Sequence, residues 1–312
     1  MRLHDSPQTK DLNDVWREIE RLDLVPRVAE LEAFGYTVIE NAIAREHVDR
    51  AREVILDLAQ ERFGRRPDLD RDPGLAGWKG DFDPQRDPAW RARGEWELFA
   101  YLLFRDPVFE EFLLNPKPLA LITYLLGKSC LLSSMTCHFK GQGDHSALGL
   151  HSDTANGAIA PFPAHSVVAN CNYALTDYTE AGGCLGVVPG SHRLARQPLG
   201  REASLSGPDT NPAALPIEVP AGSAIVWHGN TWHGSYPRRL PGIRMNLAVY
   251  FCRQPLATQE RFKDNVPNDV LARRGNDARF LALLGGLTSY GWTEAGPSAD
   301  LAKSRAGQTF HA

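Results

Sequence analysis

Apolar residues recur at helical spacing through much of the first third of the chain. Ala51 and Ile55 belong to a repeat of three or four positions that predicts a helix over residues 44–63. A further helix is predicted from Pro116, because proline is favoured at the first position of a helix, and we expect it to end at Gly127.

The periodicity changes after residue 128. Short apolar segments now alternate with Gly, Pro, Asn and Asp, which is typical of strands separated by turns. The predicted strands are residues 131–139, 166–175, 184–188, 224–227 and 245–251, preceded by a short one at 35–40. Strands at this spacing favour a β-sandwich or barrel.

We therefore expect one mainly β domain with flanking helices over residues 1–312. Within it, residues 1–128 are predicted to form a mainly helical buttress with a loop, and residues 129–253 the β core. Residues 254–312 are predicted to form a C-terminal helix, over 256–285, and a tail.

The polar stretch of residues 64–96 contains Trp78, Trp90 and Trp96. Because tryptophan is mostly buried in folded proteins, we expect these side chains to pack the loop down. The alternative is that they line the mouth of a substrate pocket.

Composition narrows the class of protein. A net charge of -4, with 34 basic and 38 acidic residues, does not indicate a surface for nucleic acid. No apolar run reaches the ~20 residues of a membrane-spanning helix. The 5 cysteines include no CxxC pair, so we expect reduced thiols and a cytoplasmic location.

A His-x-Asp triplet is the first candidate for chemistry. In an extended segment, residues i and i+2 project from the same face, so His151 and Asp153 should point into one space. A histidine from a distant strand would complete a face of two histidines and one carboxylate, which suits non-haem Fe(II) because it leaves positions open.

A second segment follows about eighty residues downstream. It contains His228 and His233, and each lies eleven residues before an arginine, Arg239 and Arg244 respectively, so spacing alone does not choose between them. An arginine at the end of a barrel strand can hold a dicarboxylate through a bidentate pair.

Together these motifs resemble the phytanoyl-CoA dioxygenase family of Fe(II)- and 2-oxoglutarate-dependent oxygenases, over roughly residues 30–255. The resemblance rests on the two segments above and on three further motifs. These are Gly-Tyr-Thr-Val-Ile from residue 35, Leu-Leu-Gly at 125–127, and the run at 174–192 with its Gly-Gly-Cys-Leu and Pro-Gly-Ser-His. It implies a double-stranded β-helix, a cupin-like form of jelly roll.

The resemblance also implies roles for individual residues. His151, Asp153 and His233 correspond to the iron ligands, since the His-Gly-Ser context and the apolar strand after Arg244 match the family. Arg244 would pair with the distal carboxylate of 2-oxoglutarate, with Ser235 and Asn172 also at the cosubstrate. The roles of His138, His145, His165 and His228 stay open.

The function that this implies is oxidation by O2, with Fe(II) and 2-oxoglutarate, of a partly apolar small molecule. Hydroxylation is expected, with desaturation or cyclisation as variants, and succinate and CO2 are released. Three alternatives stay open: a cupin-like metal-binding isomerase or sensor without 2-oxoglutarate, a zinc hydrolase with the same ligands, and an acyl-CoA hydroxylase. The last would use Arg65, Arg66, Arg91 and Arg93 on phosphates. The sequence predicts neither a nucleic-acid nor a membrane partner, and leaves the oligomeric state open.

Overall fold

The computed structural model describes residues 7–72, 96–143, 146–254, 256–286, 292–293 and 296–297. Its helices are α1 (Pro7–Arg21), α2 (Val25–Phe34), α3 (Arg45–Phe63), α4 (Val108–Leu113), α5 (Pro116–Leu126), α6 (Asn268–Arg274) and α7 (Ala278–Leu283). Its strands are β1 (Tyr36–Ile39), β2 (Trp96–Phe99), β3 (Leu131–Lys140), β4 (Leu148–His151), β5 (Val168–Ala174), β6 (Leu185–Val187), β7 (Leu215–Ile217), β8 (Ala224–His228), β9 (His233–Ser235), β10 (Arg244–Cys252), β11 (Trp292–Thr293) and β12 (Gly296–Pro297).

Two antiparallel sheets build the β core. The larger has the strand order β1-β8-β5-β10-β3-β2, and the smaller has the order β4-β9-β6-β7. Side chains from both sheets, such as Trp227 from β8 and Val187 from β6, share one buried cluster, so the sheets face each other. This is the predicted jelly roll, and its large sheet also takes in β1 and β2 from the first third of the chain.

The large sheet has an apolar outer face and a polar inner face. Alternate residues of β3, β5 and β10, such as Met135, Cys171 and Leu247, join the main hydrophobic core with residues of α3, α4 and α5. The residues between them, such as Thr136, Asn172 and Asn246, line a cavity between the sheets. Because side chains alternate along a strand, one apolar face anchors the sheet on the helices and leaves the other free for chemistry.

Most predicted elements agree with the structure, including the helix that ends at Gly127 in a positive-φ cap. The prediction of one helix over residues 256–285 is wrong. That segment contains two short helices, because Asp277 starts α7 by accepting a hydrogen bond from the Phe280 N–H. All five cysteines are buried, and none is paired in a disulfide. Among the described residues, no helix has the length and apolar character needed to cross a membrane.

Candidate active site

The pairing of two short strands brings His151 and His233 together. β4 runs antiparallel to β9, and His151 and His233 are direct partners across the two strands. Their ring centroids lie 4.4 Å apart. Residues 82 positions apart in the chain thus become neighbours.

Asp153 completes the group at the start of a single 3-10 turn, Asp153–Asn156. Ser152 before it is extended, so the carboxylate projects to the same side as His151. Asp153 Oδ1 lies 3.7 Å from His151 Nε2, and Oδ2 lies 3.4 Å from His233 Nε2. One potential ligand atom from each of the three residues lies within 4.8 Å of the other two.

Backbone carbonyls set the orientation of both imidazoles. His151 Nδ1 lies 3.0 Å from Gly149 O, and His233 Nδ1 lies 3.0 Å from Thr231 O. A carbonyl accepts only from a protonated nitrogen, so each neutral ring carries its hydrogen on Nδ1. Each Nε2 then presents its lone pair to the shared space, which is how metal-binding histidines are held.

Burial keeps His233 uncharged. Its side chain is packed 4.7 Å from the ring of Trp227, centroid to centroid. Desolvation lowers its pKa to about 4, with a smaller lowering from His151 and an opposing effect of Asp153. At neutral pH His233 is therefore a neutral donor of an electron pair.

His228, the other candidate, lies elsewhere. It ends β8, its Nδ1 accepts a hydrogen bond from the Asn230 N–H at 3.0 Å, and its ring lies 5.5 Å from that of His192. Desolvation lowers its pKa to about 4 as well. Among the described residues, the only group of His, Cys, Asp and Glu side chains close enough to share a metal ion is His151, Asp153 and His233.

A cavity of about 430 Å³ opens beside these three residues, and Arg244 lies in its wall. The Arg244 guanidinium is buried, donates to Gly183 O at 3.1 Å, and lies 4.8 Å from the ring of Tyr178. Its Nε is buried without a hydrogen-bond partner among the described residues. A buried cation with an unused donor, at the wall of a cavity, fits an anionic ligand.

Ser235 and Asn172 also line the cavity. Ser235 Oγ accepts a hydrogen bond of 2.7 Å from Lys140 Nζ. Asn172 Oδ1 accepts one of 3.0 Å from Asn246 Nδ2. The structure therefore places all three residues predicted for the cosubstrate at one cavity with the two histidines and the aspartate.

Several cavity residues were missed at the level of sequence. Asn246 and Tyr250 follow Arg244 at even steps along β10, so the strand alternation could have identified them. Asn170, whose Nδ2 donates to Asp153 Oδ2 at 3.4 Å, follows the same pattern two residues before Asn172. Lys140 does not line the cavity, but it follows Thr136 and His138 at even steps along β3, so the same alternation applies to it.

The remaining candidates divide between the cavity, the surface and the undescribed segments. His138 lines the cavity, whereas His165 is exposed. Trp96 begins β2, and its side chain lies outside the described part of the protein. The same holds for Trp78, Trp90, Arg91, Arg93 and His145.

Several known proteins that are similar to this chain are dioxygenases. A dioxygenase of Aspergillus fumigatus, af480, is 32% identical over 137 residues, which are 43% of this chain and 41% of that protein. The ectoine dioxygenase of Stutzerimonas stutzeri is 23% identical over 300 residues, 88% of this chain and 93% of that protein. The crystal structure of HygX from Streptomyces hygroscopicus, with nickel and 2-oxoglutarate bound, shares the fold with a TM-score of 0.55 and 18% identity. That match covers 79% of this chain and 93% of HygX.

The profile of the family described as "Phytanoyl-CoA dioxygenase (PhyH)" matches residues 31–246, a range that includes His151, Asp153, His233 and Arg244. With this match over more than half of its length, the chain belongs to the phytanoyl-CoA dioxygenase family.

Proposed function

We propose that this protein is an Fe(II)- and 2-oxoglutarate-dependent dioxygenase that oxidises a small organic molecule. His151, Asp153 and His233 would hold the metal, and Arg244 would hold the far carboxylate of the cosubstrate. The observation that carries the proposal is the convergence of three ligand atoms within 4.8 Å at the same cavity as a buried guanidinium.

The three side chains suit a ferrous ion. Two imidazole nitrogens and one carboxylate oxygen are the donor set of non-haem iron oxygenases, and three donors leave further positions for a bidentate 2-oxo acid and for O2. Both nitrogens already present their lone pairs, because Gly149 O and Thr231 O hold the opposite edge of each ring. Little reorganisation is needed to bind the ion.

The part of the cavity around Arg244 is equally suited to binding the cosubstrate. The unpartnered Nε of Arg244 offers a donor to a carboxylate, and Ser235 supplies a hydroxyl at the same cavity. Asn172 lines the same cavity, with its carboxamide oriented by Asn246. A cavity of about 430 Å³ falls within the ~300–1,000 Å³ range of ligand sites, which leaves room for the cosubstrate and part of a substrate.

When bound, Fe(II) with 2-oxoglutarate would supply the activation of O2, with release of succinate and CO2. The residues of the chain perform the other tasks. Arg244 orients the cosubstrate and neutralises its charge, and the walls of the two sheets limit access of water to the reacting atoms. Asn170 donates to Asp153 and steadies the carboxylate at the metal.

The substrate that we propose is a free small molecule with a partly apolar body, and not an acyl-CoA. Two arginines that could have met phosphates are already paired: Arg65 with Asp72, and Arg66 with Glu53 and Asp57. Small-molecule binding has a precedent in a structural relative, since HygX has been solved with hygromycin B bound. The buried, free cysteines support a cytoplasmic location for the enzyme.

The test is anaerobic addition of Fe(II) and then 2-oxoglutarate. We expect a weak visible metal-to-ligand charge-transfer band in the wild type and none in a His233→Ala variant. Succinate release can then be used to screen substrates. Absence of the band in the wild type, or its persistence in the variant, contradicts the assignment. Full activity of an Arg244→Ala variant would instead favour a metal-dependent isomerase that does not use 2-oxoglutarate.

A further inference from the structure

A glutamine side chain pairs with the backbone between the first two metal-binding candidates. Gln197 Oε1 accepts a hydrogen bond of 2.8 Å from the Ser152 N–H, and Gln197 Nε2 donates one of 2.7 Å to Ser152 O. Both polar groups of the Ser152 backbone are therefore bonded to one carboxamide. Ser152 is the single residue between His151 and Asp153, so its φ and ψ set how these two side chains stand to each other.

The place of β4 in its sheet explains why a side chain has this task. β4 is an edge strand of the small sheet, with β9 as its neighbour on one side only. Ser152 continues β4 in an extended conformation, with φ −110° and ψ 130°, and is only 2% exposed, so water has little access to it. A buried backbone N–H or C=O without a partner costs about as much as a lost hydrogen bond. Gln197 takes the place that a further strand would have.

Gln197 is itself attached to the segment that carries the third candidate. The residue before it, Arg196, accepts a hydrogen bond of 2.8 Å from Trp232 Nε1 through its carbonyl oxygen, and its guanidinium lies 4.8 Å from the centroid of the Trp232 ring. Glu202 accepts two hydrogen bonds from the same guanidinium, at 2.6 and 2.8 Å. Because Trp232 directly precedes His233, residues 196 and 197 connect both metal-binding segments.

The other contacts of this segment have a different role. Ser152 Oγ donates to Gly229 O at 2.9 Å, and the Thr154 N–H donates to the same oxygen at 3.1 Å. These bonds fix the serine side chain and the turn that follows it. The two backbone groups of Ser152, in contrast, bond to Gln197.

We propose that Gln197 is a positioning residue for the metal ion, which holds His151 and Asp153 in the relative orientation that the ion needs. This inference rests on the proposed function. Gln197 does not line the cavity, so it acts through the Ser152 backbone and not on the reacting atoms. Without its carboxamide, the peptide groups on both sides of Ser152 turn toward other partners, and the 3.7 Å spacing between Asp153 Oδ1 and His151 Nε2 is no longer fixed.

The experiment measures Mn(II) binding to the whole protein by electron paramagnetic resonance, well below the unfolding temperature. Urea unfolding of each metal-free variant is measured in parallel. Gln197→Met has a side chain of similar length but loses both hydrogen bonds. We expect it to bind Mn(II) about tenfold to a hundredfold more weakly, as is typical when the outer partner of a ligand is removed, and to change the zero-field splitting of the bound ion.

Asn211→Leu is the matched control. Asn211 is a half-buried amide that also makes two contacts with the backbone, since its Nδ2 donates to Glu202 O at 2.7 Å and its Oδ1 accepts from the Ala213 N–H at 2.9 Å. It lies on neither metal-binding segment. We expect its loss to lower the urea midpoint as much as Gln197→Met does, and to leave the Mn(II) affinity and spectrum as in the wild type.

Gln197→Glu separates the effect of position from that of charge. Its carboxylate can still accept from the Ser152 N–H, but it repels Ser152 O. An added negative charge near a cation would by itself tighten Mn(II) binding, whereas loss of the paired contact weakens it. We expect weaker binding than in the wild type.

Wild-type affinity and spectrum in Gln197→Met, or an equal weakening in Asn211→Leu, overturn the inference and leave the proposed function intact. Tighter or unchanged binding in Gln197→Glu overturns it even if Gln197→Met does not fold. Failure of the wild type to bind Mn(II) overturns the proposed function, and this inference with it.

Discussion

Metal binding should stabilise the fold, and two histidines of similar environment allow a matched test. His233 and His228 are 5% and 7% exposed, and burial lowers the pKa of each to about 4. Of the two, only His233 lies close enough to His151 and Asp153 to share a metal ion with them. Asparagine can replace the Nδ1 contact in both cases, because its amide can donate to the carbonyl beside His233 or accept from the N–H beside His228.

The size of the effect follows from linkage. A ligand at about 100 times its dissociation constant stabilises the native state by about 2.7 kcal/mol. A chain of 312 residues unfolds with an entropy of about 0.65 kcal/mol/K. Saturating Mn(II) should therefore raise the Tm of the wild type by about 4 °C.

The assay is thermal unfolding with and without Mn(II), followed by circular dichroism. We expect His228→Asn to lower the Tm of the metal-free protein but to keep the full shift on adding metal. His233→Asn should lose most of the shift, because one of three ligands is gone and the other two do not hold the ion alone. A full shift in His233→Asn, or its loss in His228→Asn alone, would refute the reasoning.

Three further predictions concern stability. The pKa of Lys140 is lowered from 10.5 to about 6 on folding, so the unfolded state binds more protons between pH 6 and pH 10.5. The free energy of unfolding should therefore rise with pH over this range. Lys140→Met should reduce the rise by up to about 1.4 kcal/mol per pH unit, measured by urea titrations at several pH values. Tyr173→Phe should cost about 1 kcal/mol in urea unfolding, since the buried hydroxyl donates to Phe112 O at 2.8 Å, and an unchanged midpoint would contradict that contact. Asp277→Ala should cost about 1 kcal/mol by removing the cap of α7, with Asp277→Asn, which retains an acceptor for the Phe280 N–H, losing much less.

Local patterns were enough to predict the His151–Asp153 pair. An extended backbone between the two residues is enough to bring their side chains to one side, and Ser152 is extended although Asp153 itself begins a turn. The strands of the large sheet were likewise predicted from short apolar runs between turn residues. Such signals are carried by a few neighbouring residues and do not depend on the rest of the chain.

The distal histidine was different, because His228 and His233 have similar sequence surroundings. His228 lies on β8, which pairs with β5 and β1 in the large sheet, and His233 lies on β9, which pairs with β4. Which strand meets β4 depends on the pairing of distant segments, so spacing could not decide it. The family resemblance did favour His233, because members of one family share the same pairing of strands.

Lys140 shows the limit most clearly. A lysine at the end of a strand is ordinarily exposed. Alternation along β3 places Lys140 on the same face as His138, but nothing in the sequence indicates that it is buried. It is buried because β3 is in register with Arg244 on β10 and because the turn at Gly183 leaves space for its side chain.

By itself the sequence determined the strands, the alternation that makes one face of the large sheet polar, the family, and the residue types able to hold iron and a dicarboxylate. The tertiary structure decided which histidine joins His151 and Asp153, a choice that spacing left open and that only the family resemblance favoured, and it decided that Lys140 contacts Ser235. The reason is physical: periodicity and turns are properties of short segments, whereas burial and the convergence of side chains depend on which remote strands become neighbours.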